Sequence, residues 1–285
     1  MIVIVCPVCR AALSREEKRW ACPNGHGFDV AREGYVNLLP VQHKKSRQPG
    51  DAEAMVRARR AFLTAGHYEP LRDTVVALLQ QLAPASLLDI GCGEGYYTQT
   101  MATVVPQVIG LDIAKPAIQL AARGCKGPIW LVAGGARLPL GDASVALVTS
   151  LFSPLPVEEM ARVLTSEGLL LVVTPAPLHL ASLREALFDQ VIAHEPEKFL
   201  HTLSPQFVCA SRKDIAFPLT LSQTALRQLL LMTPYVWRAR AERRAALEAR
   251  VELQTEAAFT LFVLRKAAAY GFREAHPEAG RSRGR

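Results

Sequence analysis

Four residues near the start of the chain have the types and spacing of a metal site. Cys6 and Cys9 form a C-x2-C pair, and twelve residues later Cys22 and His26 form a C-x3-H pair. Pro7 and Pro23 follow the first cysteine of each pair and Gly25 precedes the histidine, so each half has the shape of a knuckle. Three thiolates and an imidazole complete a tetrahedral shell around zinc with no open position, which makes such an ion structural rather than catalytic. A segment of about 35 residues buries too little apolar surface to fold alone, and metal binding supplies the missing stability. The remaining cysteines, Cys92, Cys125 and Cys209, are scattered. Six cysteines in 285 residues are too few for a disulfide scaffold and suit a reducing compartment.

A second constellation lies in "LLDIGCGEGYYTQ", residues 87–99. Gly91, Gly93 and Gly95 leave the end of an apolar strand, and three glycines there let the backbone pass close beneath a ligand. Asp89 sits just before the loop and is read, with the glycines and Asp112, as a cofactor contact. Asp112 closes the next apolar strand, 19 residues after Gly93, where a carboxylate would meet a ribose diol. A turn from Gly134 to Leu140 follows the third strand, with Gly134-Gly135 where an adenine-binding acid could stand, so the adenine contact stays open. A nicotinamide dinucleotide site is the alternative, but its G-x-G-x-x-G spacing is not met. After the fourth strand, "TSLFSPLP" (149–156) contains neither an Asn/Asp-Pro-Pro-aromatic pattern nor a cysteine. Ser150 and Ser153 could orient a base but are poor proton acceptors, and the sequence names no catalytic general base.

The elements that must position these groups are legible in outline. Two helices, 52–66 and about 69–82, precede strands at 86–90, 107–113, 129–133, 144–150 and 168–174. Helices at about 96–103, 115–123 and 156–164 alternate with them, which specifies a parallel sheet with helices on both faces. A helix near 178–192, a strand at 207–217, a helix at 222–232 and a strand at 257–266 complete the chain, the last two strands antiparallel. The expected division is a zinc-binding module at 1–37, a basic linker at 38–52, a catalytic domain at 53–270 and a basic tail at 271–285. Net charge is +7, concentrated in segments: residues 43–60 hold six Lys/Arg against two acids, and 238–250 hold five against two. Segmental basicity points to a polyanion. Half the residues are apolar, yet no apolar run reaches the roughly 20 residues of a membrane span. A cytoplasmic protein without membrane contact is expected, and a homodimer is compatible with the chain.

The Gly loop with Asp112 resembles the class I S-adenosylmethionine-dependent methyltransferase fold, an α/β Rossmann-like architecture. Together with "CPVC", "CPNGH", "LPVQHKKSRQPGD", "RRAFLTAGHYEPLR", "TPAPLHL" and "MTPYVWRAR", it closely resembles the RlmA family of 23S rRNA guanine-N1-methyltransferases, up to about Lys266. The wording around the linker is more similar to the Gram-negative housekeeping branch than to the macrolide-resistance branch, which modifies a neighbouring guanine. The resemblance implies S-adenosylmethionine and zinc as cofactors and 23S rRNA as partner. It places zinc ligands on Cys6, Cys9, Cys22 and His26, and cofactor contacts on Tyr68, the Gly93-Glu94 turn and His179. For RNA, Lys44, Lys45 and Arg47 on the linker would face Arg238 and Arg240 across a cleft, with Tyr235 and Trp237 suited to stacking an unpaired base. A small-molecule methyltransferase would leave the zinc module idle, and a non-catalytic RNA-binding protein would leave the Gly loop idle.

Overall fold

The computed structural model describes residues 2–40, 42, 49–233, 235 and 238–267. Lys44, Lys45, Arg47, Trp237 and the 271–285 tail therefore lie outside the described residues. Three short antiparallel strands, β1 (Ser14–Arg15), β2 (Arg19–Ala21) and β3 (Gly27–Asp29), form a small sheet beside the cysteine pairs. The main sheet is built from β4 (Tyr35–Asn37), β5 (Ser86–Ile90), β6 (Gln107–Asp112), β7 (Ile129–Val132), β8 (Val145–Leu151), β9 (Leu164–Pro175), β10 (Phe207–Ser222) and β11 (Glu252–Lys266). Its order is β10-β11-β9-β8-β5-β6-β7-β4, parallel from β9 through to β4, with β11 antiparallel to both neighbours. This is the expected Rossmann-like α/β architecture.

The sheet's apolar strands are buried throughout at β5, and nearly so at β6, β7 and β8, because helices cover both faces. Those helices are α1 (Glu53–Thr64), α2 (Glu69–Leu82), α3 (Tyr96–Met101), α4 (Lys115–Gly124), α5 (Val157–Val163), α6 (Ala181–Leu187), α7 (Leu200–Leu203), α8 (Gln223–Met232) and α9 (Ala241–Glu248). The Ser222 hydroxyl caps α8 by accepting from the Ala225 N–H at 3.3 Å. The helix expected over 178–192 is shorter, ending at Leu187. Beyond it the chain is irregular to Phe199, and the buried Arg184 guanidinium holds it by donating to the Pro177, His179 and Ile192 carbonyls. No helix among the described residues is long and apolar enough to cross a membrane.

The first 37 residues are not separate in packing. Val36 and Leu38 share a core with Leu131, Leu138 and Leu140, and β4 adds itself in parallel to the edge of β7. Ile4 bridges to Leu140, and the Arg10 guanidinium donates to the Leu138 and Leu140 carbonyls at 2.8 and 3.1 Å. Arg162 reaches the same two carbonyls from α5. The "LPL" turn, read from sequence as a cofactor-side loop, is thus also the socket for the cysteine-bearing module. Short apolar strands at the chain start carried no sign of which sheet they would join, because edge pairing is decided by tertiary contact.

Candidate functional site

The four metal-ligating candidates converge as expected. Ligand atoms of Cys6, Cys9, Cys22 and His26 all lie within 4.8 Å of one another, the one such cluster among the described residues. Cys9 Sγ and Cys22 Sγ are 3.7 Å apart, and Cys22 Sγ is 3.4 Å from His26 Nδ1. A tetrahedron with Zn–S bonds of about 2.3 Å has edges of about 3.8 Å, so the donors fit zinc with Nδ1 as the imidazole ligand. The knuckle turns are closed by the Arg10 N–H donating to the Cys6 carbonyl and the Gly25 N–H donating to that of Cys22. Arg10 and Gly25 both occupy the left-handed region, at φ +64° and +82°. Cys9 is held down to about 6 by the Ala11 backbone N–H and the Asn24 side chain, which favours the thiolate that a metal needs.

At the carboxyl edge of β5 the three glycines have different duties. A Cβ on Gly91 would come within 2.9 Å of Ser153 Oγ, and one on Gly95 would lie 2.6 Å from Trp130 Cη2, so those two positions serve protein packing. Gly93 differs: at φ +58°, a Cβ there would meet nothing within 4 Å except Arg59 Nη1 at 3.9 Å. Of the three, Gly93 alone has room for an added Cβ, and all three stand in the loop expected to underlie the ligand.

Asp112 stands opposite Gly93. Its carboxylate accepts from the Gly93 N–H at 3.0 Å and from the Ala114 N–H at 2.7 Å, and burial raises its pKa. Glu94 is also buried and raised by desolvation, with Arg59 opposing the shift. Arg59 comes from α1 and pairs with Asp51 at 2.6 Å, which brings the end of the linker over this corner. Asp89 proves to be internal. Its oxygens accept from Thr98 Oγ1 at 2.6 Å and Thr149 Oγ1 at 2.8 Å, tying β5 to α3 and β8, and burial pushes it up to about 6. It ties the loop to its neighbours, an internal role that its place before the loop did not reveal.

Tyr68 and His179, 111 residues apart in sequence, meet in one aromatic cluster. Their ring centroids are 6.3 Å apart, and both pack on Phe259, at 5.1 and 4.6 Å. Tyr97, on α3, has a buried hydroxyl with no hydrogen-bond partner among the described residues, as does its neighbour Tyr96. His179 Nδ1 accepts from the Ala258 N–H at 3.2 Å, which puts the ring proton on Nε2. Desolvation drives its pKa down to about 3, with His194 adding to the effect. Ser150 and Ser153 bond each other at 2.7 Å, and Ser153 Oγ donates to the Ile90 carbonyl at 2.6 Å, so they lock the loop after β8 rather than face outward.

Tyr235 is half-buried and engaged by neighbouring side chains. Its hydroxyl and His194 Nε2 are 3.0 Å apart, and its ring packs edge-on to Phe188 at 6.3 Å. Arg238 and Arg240 are exposed, and Arg240 pairs with Asp189 at 3.4 Å. Sequence reasoning missed Phe259 and Thr149, whose roles depend on strand pairing that residue types alone do not reveal.

The buried imidazole sets a pH dependence. Between an ordinary histidine pKa of about 6.5 and His179's value near 3, the unfolded chain binds a proton that the native state refuses, so His179 lowers stability as pH falls through that window. Asp89 acts oppositely, because its folded pKa is raised: the native state holds a proton that the unfolded chain releases between about 3.9 and 6, a stabilisation lost as pH rises through about 6. His179→Asn, whose amide oxygen can keep the Ala258 N–H, removes only the first slope. Relative to its difference from wild type at pH 7.5, it should gain roughly 3–5 kcal/mol at pH 3, measured by urea unfolding at both pH values.

Comparison with known proteins covers both parts. A family model described as RlmA, N-terminal, matches residues 4–47, and one described as a methyltransferase domain matches residues 88–172. A Streptomyces fradiae relative named 23S rRNA (guanine(748)-N(1))-methyltransferase is 35% identical over 240 residues, 81% of this chain and 85% of its own. A Bacillus subtilis relative, assigned provisionally as a 23S rRNA (guanine-N(1)-)-methyltransferase, is 30% identical over 85% of this chain and 90% of its own. A malonyl-[acyl-carrier protein] O-methyltransferase from Methylovorus is 33% identical but covers only 46% of this chain and 53% of its own.

Proposed function

This chain belongs to the 23S rRNA (guanine-N1)-methyltransferase family, and we propose that it methylates N1 of one guanine in a large-subunit rRNA hairpin, in the cytoplasm, using S-adenosylmethionine. The observation that carries this reading is that the zinc knuckles and the Gly93–Asp112 cradle belong to one packed unit, joined at Leu138 and Leu140. A small-molecule methyltransferase has use for the cradle alone. The experiment follows tritium from methyl-labelled S-adenosylmethionine into either 23S rRNA or a metabolite extract. Label in the rRNA supports the reading, and label only in metabolites rejects it.

The residues fit the cofactor, through the open space at Gly93 and the carboxylate of Asp112. Gly93 and Asp112 would hold it, with Glu94, Tyr68 and His179 around it. When bound, S-adenosylmethionine supplies a methyl group on a cationic sulfur. Most of the protein's task is then to hold guanine N1 in line with that methyl. N1 carries a hydrogen, so its proton must leave before or during transfer. His179 is not its acceptor, because Nδ1 already takes the Ala258 N–H and Nε2 carries a proton. Asp89 is not either, since both its oxygens are engaged by threonine hydroxyls.

RNA is held, in this reading, between the linker lysines and the exposed arginines near α9. Phosphate contacts release counterions, so affinity falls with salt at a slope of about 0.7 to 0.9 per neutralised phosphate. Replacing Lys44, Lys45 and Arg47 together with alanine should make the slope shallower by up to about 2–3 units, read from filter binding of 23S rRNA at several salt concentrations. An unchanged slope would remove these residues from the interface.

A further inference from the structure

Phe152 is exposed to 47% of its surface, directly beyond β8. Its backbone lies in the left-handed region at φ +59°, which a bulky aromatic residue rarely adopts. The surroundings hold it there. Its N–H donates to the Val173 carbonyl at 3.2 Å, and the next residue, Ser153, is bonded to the Ile90 carbonyl and to Ser150. Strained backbone that neighbouring contacts enforce is a feature of ligand sites.

The position in the sheet is equally specific. From β5 the chain crosses to β6 and β7 on one side, whereas β8 and β9 lie on the other, so the carboxyl ends of β5 and β8 flank the topological switch point. Open α/β sheets bind ligands in the crevice at that point. Phe152 stands there with its ring 5.4 Å from that of Phe259, which in turn packs on His179 and Tyr68. An aromatic ring that packs against such a cluster and keeps about half its surface exposed is suited to stacking a planar base.

We propose that Phe152 is the surface on which the acceptor guanine stacks, presenting N1 to the methyl group. This rests on the reading of the chain as an rRNA methyltransferase. Tyr235, the stacking candidate from sequence that is described here, is engaged with His194 and Phe188, and Phe152 takes that role at the methyl-transfer cleft.

The test uses the full-length zinc-loaded protein, transcribed 23S rRNA and three variants. Phe152→Asn removes the ring and tolerates the left-handed backbone, Phe152→Leu keeps apolar bulk without an aromatic face, and Phe152→Trp keeps the face. Asn and Leu should each lower kcat/KM for RNA by about ten- to a hundredfold, the range for losing one base stack, while Trp stays within about threefold of wild type. S-adenosylmethionine affinity by calorimetry should be unchanged in all three. Wild-type kcat/KM in the Leu variant, or lost cofactor affinity in the Asn and Leu variants, would overturn the assignment and leave the proposed function standing. A wild-type protein that binds the cofactor yet transfers no methyl to 23S rRNA would overturn both.

Discussion

Exchanging Cys22 for serine, or stripping zinc with a strong chelator, is expected to destabilise the whole chain and not only its first 37 residues. The donors are spaced for a closed tetrahedral ion, with 3.7 Å between the Cys9 and Cys22 sulfurs. Cys6 and Cys22 are themselves members of the core that contains Leu131, Leu138, Leu140 and Ile109, so loosening the knuckles opens the edge of the main sheet. Arg10, turned into the left-handed region by its knuckle, would release the Leu138 and Leu140 carbonyls at the same time. Structural zinc contributes about 10–16 kcal/mol in isolated finger peptides, and the shared core supplies part of that here, so a loss of roughly 5–8 kcal/mol is expected. Elemental analysis should give one zinc per wild-type chain and none in Cys22→Ser. Thermal melting should show one transition, moved down. Two separate transitions, the larger one unmoved, would mean that the module stands alone.

Gly93→Val should abolish S-adenosylmethionine binding while the protein stays folded. The valine side chain would enter the space beside Arg59 and the Asp112 carboxylate, where the cofactor is proposed to lie. Its cost to the fold is the strain of a β-branched residue at φ +58°, about 1–3 kcal/mol. Gly91→Ala supplies the contrast. There the added methyl runs into Ser153 at φ +71°, so strain and overpacking add to roughly 2–5 kcal/mol of lost stability. Calorimetric titration with the cofactor and urea unfolding of both variants separate the two cases. Intact cofactor affinity in Gly93→Val would remove the cradle from the cofactor site.

Much of this molecule was legible in its residues. The alternation of apolar runs with helical periods gave the parallel sheet, and ligand spacing gave the Cys6, Cys9, Cys22 and His26 cluster, because such signals are local. What stayed hidden depends on tertiary pairing. The docking of β4 on β7 and the Arg10 bonds to the "LPL" turn join residues more than ninety positions apart. Asp89 looked like a ligand contact because it precedes the Gly loop, and only the approach of Thr98 and Thr149 shows it as an internal tie. The glycines illustrate the same limit: type and spacing are alike, but a Cβ at Gly91 or Gly95 would run into Ser153 or Trp130, and one at Gly93 would come no closer than 3.9 Å to Arg59.

The most direct measurement incubates the wild-type protein and S-adenosylmethionine with unmodified 23S rRNA and maps the product by nuclease digestion and nucleoside mass spectrometry. The account predicts 1-methylguanosine at a single guanine of one hairpin, absent when Gly93→Val replaces the wild type. Methylation at an exocyclic amine or a ribose, or none in rRNA alongside measurable cofactor binding, would contradict it.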